Sequence, residues 1–210
     1  MSKTIGIFGG AFDPVHIGHS KLVSDIKKIF DFEKILIIPS GKPVLKSSHF
    51  ADSIKRIEML NVAFKNTQDV FIDDRETLKE KTSFTIETLR EICKEYESKQ
   101  HFSFILGQDA FESFKSWKNW EEILTLCSLI VISRPNFFIS QDYLDEFKNN
   151  ITRSSSDFLM KHGKIFFAET SMLDISSSEI RKKVYKKEFK KKMLEDQVLD
   201  FIKKNSLYKN

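Results

Sequence analysis

Six short apolar runs recur along the 210-residue chain: Thr4 to Phe8, Lys34 to Ile38, Val70 to Ile72, Phe102 to Leu106, Leu129 to Ser133 and Ile165 to Phe167. Between them, apolar residues return at helical spacing over 21–30, 52–64, 83–96, 110–114 with 120–126, and 143–147 with 157–162. Continuous apolar strands are the kind that parallel sheets bury on both faces. Strand alternating with helix then argues for a parallel sheet with right-handed crossovers. Two more helices, over 178–187 and 193–204, are expected near the end, and 136–162 reads as a helical insertion. A chain of this size can bury roughly 70% of its unfolded surface without staples. With no repeat or low-complexity linker, one domain over 1–210 is expected, with 178–210 as a helical part packed on it.

Four of the seven glycines lie between positions 6 and 18, and Gly41, Gly107, Pro14, Pro39 and Pro135 sit just beyond strand-like runs. Permissive backbone thus gathers after strands. Open α/β sheets bind ligands outside the carboxyl ends of their strands.

Composition narrows the class. Cys93 and Cys127 stand in helix-like apolar contexts, form no Cys-x-x-Cys pair and read as reduced core thiols of a cytoplasmic protein. No apolar run approaches a membrane span, and the first residues read as strand rather than signal peptide, so no membrane partner is expected. Residues 181–192 hold eight basic residues and one acid, net +7; the whole chain is only +4, so the remainder carries −3. Nucleic-acid binding would want a spread basic stripe with aromatics, and no nucleic-acid partner is expected.

The chemistry concentrates in residues 4–19. They read as a strand, a Gly9-Gly10 turn and a helix start, with Asp13 and Pro14 as cap and first-turn residues and Leu22, Ile26 and Ile29 continuing the helix. A glycine turn lets N–H groups approach an anion, and a helix N-terminus adds positive charge. His16 and His19, three apart, can turn both rings to that anion. No Gly-Lys-Ser/Thr follows, and Gly-x-Gly-x-x-Gly is absent, so neither a Walker loop nor the dinucleotide fingerprint fits. A bare His-x-x-His would more often be ordinary helix capping; the turn before it favours the anion site.

The pattern that remains, Gly-x-Phe-x-Pro-x-His-x-Gly-His over 10–19, resembles the signature of the nucleotidylyltransferase superfamily. The resemblance implies an α/β, Rossmann-like doubly wound parallel sheet with a C-terminal helical extension. It also implies ATP at Gly9, Gly10, Phe12, His16 and His19. Ala11 stands where the family usually carries a hydroxyl residue.

Four further segments extend the likeness. Residues 38–46 resemble the family's Pro-rich loop; Val44-Leu45 replace its Pro-His pair, and Lys46 carries over as a substrate residue. The cations there, with Arg56 on the next helix, suit phosphates or, about equally, a solvated surface. Residues 81–89 offer Thr82 and Ser83 as helix caps. They resemble Ser-Tyr-Thr-x-x-Thr-Leu of nicotinate-nucleotide adenylyltransferases, with Phe84 for Tyr. The resemblance puts the nicotinate carboxylate on this segment, at Phe84 and Thr85; a helix N-terminus favours a carboxylate over a neutral amide. Residues 106–123 match Leu-Gly-x-Asp-x-x-x-x-Phe-x-x-Trp-x-x-Trp-x-x-Ile of the same family. Gly107 allows close approach and Asp109 can accept from ribose hydroxyls. Trp117 resembles the ring stacked on the pyridine, Trp120 reads as core, and Arg134 extends the substrate site. Finally, Ser176 with Glu179 and Ile175 with Ile180 fit a capping box and its staple. Ser176, Ser177, Ser178 and Arg181 also resemble the superfamily's Ser-Ser-Thr-x-Ile-Arg, which implies triphosphate binding. The lysines that follow read as a solvated face over Val184, Tyr185, Phe189 and Met193.

The likeness runs from residue 4 to Ser-Leu-Tyr at 206–208 and implies adenylyl transfer from ATP to nicotinate mononucleotide, a step of NAD biosynthesis. His16, His19 and Arg181 would be catalytic. Mg²⁺ would enter through ATP and water rather than a protein carboxylate cluster, and the assembly would be a monomer or small homo-oligomer. The alternatives are an adenylyltransferase for nicotinamide mononucleotide or another phosphate acceptor, and a non-catalytic nucleotide- or RNA-binding module using the 181–192 lysines.

Overall fold

The computed structural model describes residues 4–41, 50–96, 100–133, 138–171, 175–186, 188 and 193–209. Lys46, Arg134, the Val44-Leu45 pair and residues 187 and 189–192 of the basic run lie outside the described residues.

In chain order the elements are β1 (Thr4–Gly10), α1 (Ile17–Ile29), β2 (Phe32–Pro39), α2 (Ser53–Phe64), β3 (Val70–Ile72), α3 (Thr85–Glu95), β4 (His101–Gly107), α4 (Gln108–Glu112) and a 3-10 turn (Phe114–Ser116). Then come α5 (Trp120–Leu126), β5 (Ser128–Ile132), α6 (Gln141–Glu146), β6 (Ile151–Thr152), α7 (Ser155–Met160), β7 (Ile165–Ala168), α8 (Ser177–Tyr185) and α9 (Asp196–Lys204). The strands form one seven-stranded sheet ordered β3-β2-β1-β4-β5-β7-β6, with every pairing parallel.

The continuous apolar runs resolve into period-two alternation between two cores. Ile35 and Ile37 of β2, Ile105 of β4 and Ile130 and Ile132 of β5 face α1, α2, α8 and α9, packing with Val23, Met59, Ile180 and Leu199. Their neighbours Leu36, Ile38, Phe104, Leu106, Leu129 and Val131 face α3 and α5, packing with Leu89 and Ile123. Both α8 and α9 thus share a core with the sheet. The chain steps outward from β1 to β2 and β3 on one side, and from β4 to β5 on the other. Beyond the carboxyl ends of β1 and β4 lies the crevice where such sheets take ligands.

Three local expectations change. The Gly9-Gly10 pair belongs to β1, which pairs through Gly9↔Ile38 and Gly10↔Pro39, and the turn comes after it. Helix α1 starts at Ile17 with His16 as N-cap, not at Asp13. Part of the presumed helical insertion is β6, a two-residue edge strand paired with β7; two residues are too few to show a period.

Candidate active site

A cleft of about 910 Å³ opens at the carboxyl end of the sheet. Its floor is built from Phe8, Gly9 and Gly10 of β1, Ile38 of β2, Leu106 and Gly107 of β4 and Ile132 of β5. Its walls come from the loop after β1, the start of α1, the start of α3, the α4 turn and the start of α8.

The loop wall carries the histidines. Phe12 is buried at 2% exposure with φ 47, a left-handed conformation that costs a non-glycine residue on the order of 1 kcal/mol. Its ring packs edge-on to His19 at 5.0 Å and to Phe8 at 5.4 Å. His16 and His19 stack at 3.8 Å between ring centroids. The His16 backbone N–H donates to His19 Nδ1 at 3.1 Å. An accepting Nδ1 carries no proton, so the neutral His19 ring holds its hydrogen on Nε2. Gly18 keeps the pair in place: a Cβ there would lie 3.0 Å from His16 Nδ1.

Asp13, expected as a cap, is instead the keystone of this loop. It is 2% exposed, and its carboxylate accepts from Phe50 N–H at 2.7 Å, Ala51 N–H at 3.1 Å and Tyr208 Oη at 2.7 Å. Arg56, expected as a phosphate candidate, is also structural. It is 1% exposed and donates Nη1 to Ala11 O at 2.9 Å and Nη2 to Ser40 O at 2.8 Å, tying the ends of β1 and β2 together.

Helix α8 meets the same wall. Ser176 caps it, accepting from Glu179 N–H at 3.1 Å, while the Glu179 carboxylate accepts from Lys183 Nζ rather than closing a capping box. Ser177 donates its hydroxyl to Pro14 O at 2.9 Å, so its proton braces the loop. Arg181 donates Nη1 to Asp13 O at 2.6 Å and Nη2 to Ser178 Oγ at 3.1 Å, with the guanidinium 4.3 Å from the Phe50 ring. The Ser178 hydroxyl accepts there and keeps its own proton to give. Arg181, His16 and His19 thus line one cleft although 162 positions separate His19 from Arg181.

The opposite wall is the start of α3. The N-cap is Phe84, not Thr82 or Ser83, and no side chain caps the helix. Thr85 lines the cleft beside Ser83, whose hydroxyl is buried with no hydrogen-bond partner among the described residues. Phe84 itself is not part of the lining; its ring lies under Lys118 Nζ at 4.4 Å. Glu76, not singled out in the sequence, joins this wall, where Thr88 Oγ1 donates to it at 2.7 Å. Burial pushes its carboxyl up, while the Thr88 and Gly41 hydrogen bonds pull the other way. Asp109, in the first turn of α4, and Trp117 complete the lining. Trp117 is edge-on to Phe104 at 5.9 Å. Trp120 packs against Phe114 and Phe147 at 5.9 and 5.8 Å, half-buried at the edge of the core it was expected to join.

The chain is similar to known proteins over nearly its whole length. A family described as Cytidylyltransferase-like matches residues 7–183. A protein of Legionella pneumophila (strain Corby), named probable nicotinate-nucleotide adenylyltransferase, is 35% identical over 98% of this chain and 99% of its own length. The chain belongs to the nicotinate-nucleotide adenylyltransferase family. A relative of the same name from Yersinia pestis (strain Pestoides F) is 32% identical over 97% of this chain and 94% of its own. The fold is also that of a solved structure titled Plasmodium falciparum nicotinic acid mononucleotide adenylyltransferase complexed with NaAD. There the TM-score is 0.76 at 24% identity, covering 98% of this chain and 97% of the other.

This family member is a nucleotidyltransferase. Among the described residues no group of three or more His, Cys, Asp or Glu is placed to hold a metal, and no helix is long and apolar enough to cross a membrane. Three residues at or behind the cleft, Asp13 with its buried carboxylate, Glu76 and Tyr208, were given no such place by the sequence reading. Each acts through a partner remote in sequence, and only the fold brings the partners together.

Proposed function

We propose that the enzyme transfers the adenylyl group of ATP to nicotinate mononucleotide, giving nicotinate adenine dinucleotide and pyrophosphate. A phosphate oxygen of the mononucleotide attacks the α-phosphorus in line. The new P–O bond forms as the bond from the α-phosphorus to the bridging oxygen breaks, and that electron pair leaves with pyrophosphate. Catalysis comes from positioning and charge stabilisation.

Gly9 and Gly10 let the polyphosphate lie close against the end of β1, with Phe12 seating the histidines. His19 donates from Nε2 to a phosphate oxygen, and His16 stacks behind it. Arg181 and the Ser178 hydroxyl take the leaving pyrophosphate, where the α8 N-terminus adds positive charge. Gly107 and Asp109 receive ribose hydroxyls. Trp117 stacks on the pyridine, and Ser83, Thr85 and the uncapped start of α3 receive the nicotinate carboxylate. Lys46 and Arg134 remain proposed substrate residues on the strength of the family likeness. Mg²⁺ enters as the ATP complex and counts as part of that substrate. The protein is proposed to be cytoplasmic, a monomer or small homo-oligomer, without a nucleic-acid partner.

The observation that carries this reading is the convergence of the stacked histidines and the Arg181 fork on one cleft, with an uncapped helix start across from them. The test is pyrophosphate release from MgATP with nicotinate mononucleotide, nicotinamide mononucleotide and phosphopantetheine. Turnover with nicotinate mononucleotide well above the other two is expected. Faster release with either rival would replace the acceptor. No release, together with tight salt-sensitive RNA binding, would replace the enzyme reading altogether.

A further inference from the structure

Tyr208 lies outside the cleft lining, yet it is built into the machinery behind it. It is 9% exposed, and its backbone is left-handed at φ 61, as is that of Ser206 at φ 51. Non-glycine residues hold that conformation only where their surroundings enforce it. Leu207 N–H donates to Ile202 O at 3.0 Å, anchoring the turn to α9. The turn delivers the Tyr208 hydroxyl to Asp13 Oδ1 at 2.7 Å.

Two short routes lead from that carboxylate to Arg181. Along the first, the Asp13 carbonyl oxygen accepts Arg181 Nη1 at 2.6 Å. Along the second, Asp13 Oδ2 holds the Phe50 N–H at 2.7 Å, and the Phe50 ring lies 4.3 Å from the guanidinium. Phe50 is 71% exposed, so packing alone does not fix it; its backbone tie to Asp13 does. The orientation of the arginine fork therefore depends on how Asp13 sits, and among the described residues Tyr208 is the only side chain that hydrogen-bonds its carboxylate.

We propose that Tyr208 is a positioning residue for adenylyl transfer, setting the Arg181 fork through Asp13 and Phe50. This rests on the pyrophosphate role given to Arg181 above. A bidentate donor gains its advantage from fixed direction, and small misplacements at a reacting phosphate are costly. Tyrosine at 208 thus joins the end of the chain to the transfer step without touching substrate.

The experiment is a double-mutant cycle in kcat, with Y208F, R181K and the pair. Circular dichroism and melting curves serve as the check on folding. Y208F is expected to lower kcat roughly tenfold, leave KM for nicotinate mononucleotide within about twofold, and cost almost nothing further in the R181K background. A Y208F effect of the same factor in both backgrounds would mean a general structural role and overturn the proposal. So would near-normal kcat in Y208F. Should Y208F fail to fold, D13N is read in its place through the same cycle. An R181K enzyme as fast as the parent would instead remove the pyrophosphate role of Arg181.

Discussion

At the amino end of the sheet, far from the cleft, sits a buried histidine with a calculable effect on stability. His101, 7% exposed, shares a hydrogen bond with Thr4 Oγ1 at 2.9 Å through Nδ1 and one with Ser128 Oγ at 3.3 Å through Nε2. The His162 ring is 5.1 Å away and Phe158 lies edge-on at 5.5 Å. Burial, helped by the neighbouring His162, pulls His101 down from 6.5 to about 4. The unfolded chain therefore binds this proton more tightly than the folded one. The stability it contributes is full above pH 6.5 and drains away as pH falls towards 4. At about 1.4 kcal/mol per pKa unit the whole effect is about 3 kcal/mol, of which about 2 kcal/mol is gone by pH 5. For a chain of this size that lowers the melting temperature by roughly 4–8 °C. His162 is also pulled down by burial and adds to the loss in the same direction. The measurement is thermal unfolding between pH 7.5 and 5, for the parent and for H101Q, which cannot titrate. A shallower pH dependence in H101Q is expected. Equal slopes for the two proteins would refute the assignment.

Three substitutions probe the cleft. H19A, removing the Nε2 donor, is expected to lower kcat about 10²- to 10³-fold with the fold intact; near-normal turnover would reduce the pair to helix capping. G18A puts a methyl group 3.0 Å from His16 Nδ1 and is expected to cost about tenfold in kcat, read by steady-state pyrophosphate release. A11T places the missing hydroxyl on an exposed, cleft-lining position whose backbone Arg56 already holds. One added hydrogen bond of about 1 kcal/mol should lower KM for ATP about fivefold, and a variant slower on both constants would show that the loop prefers alanine.

How much of this was legible in the sequence depends on the range of the interaction. The main strands and the order of helices could be read because burial on both faces leaves a mark in each segment separately. Ser176 could be read as the cap of α8 because its partner, the Glu179 N–H, lies three residues on. Asp13 could not. Followed by proline it looks like a cap, but its ligands are residues 50, 51 and 208, and nothing near position 13 announces them. Arg56 misleads for the same reason: a cation after a strand suits phosphate, and only the fold shows its guanidinium spent on the Ala11 and Ser40 carbonyls. Phe84 stands where the family pattern has a tyrosine, and only the fold shows its ring packed under Lys118.

These cases share a physical cause. A phosphate-binding cleft needs many donors at fixed positions, yet the segments that supply them are loops and helix starts with little packing of their own. Buried charges solve this, because a carboxylate or guanidinium withdrawn from water must be satisfied by several partners at once. Asp13 gathers two backbone N–H groups and a phenol, and Arg56 gathers two carbonyls. Removing either one would leave its partners unsatisfied in the same wall. The rigidity of the histidine and arginine pair is thus set by polar groups that never meet the substrate, and substitutions at Asp13 or Arg56 should lower kcat and stability together, whereas those at His19 should lower kcat alone.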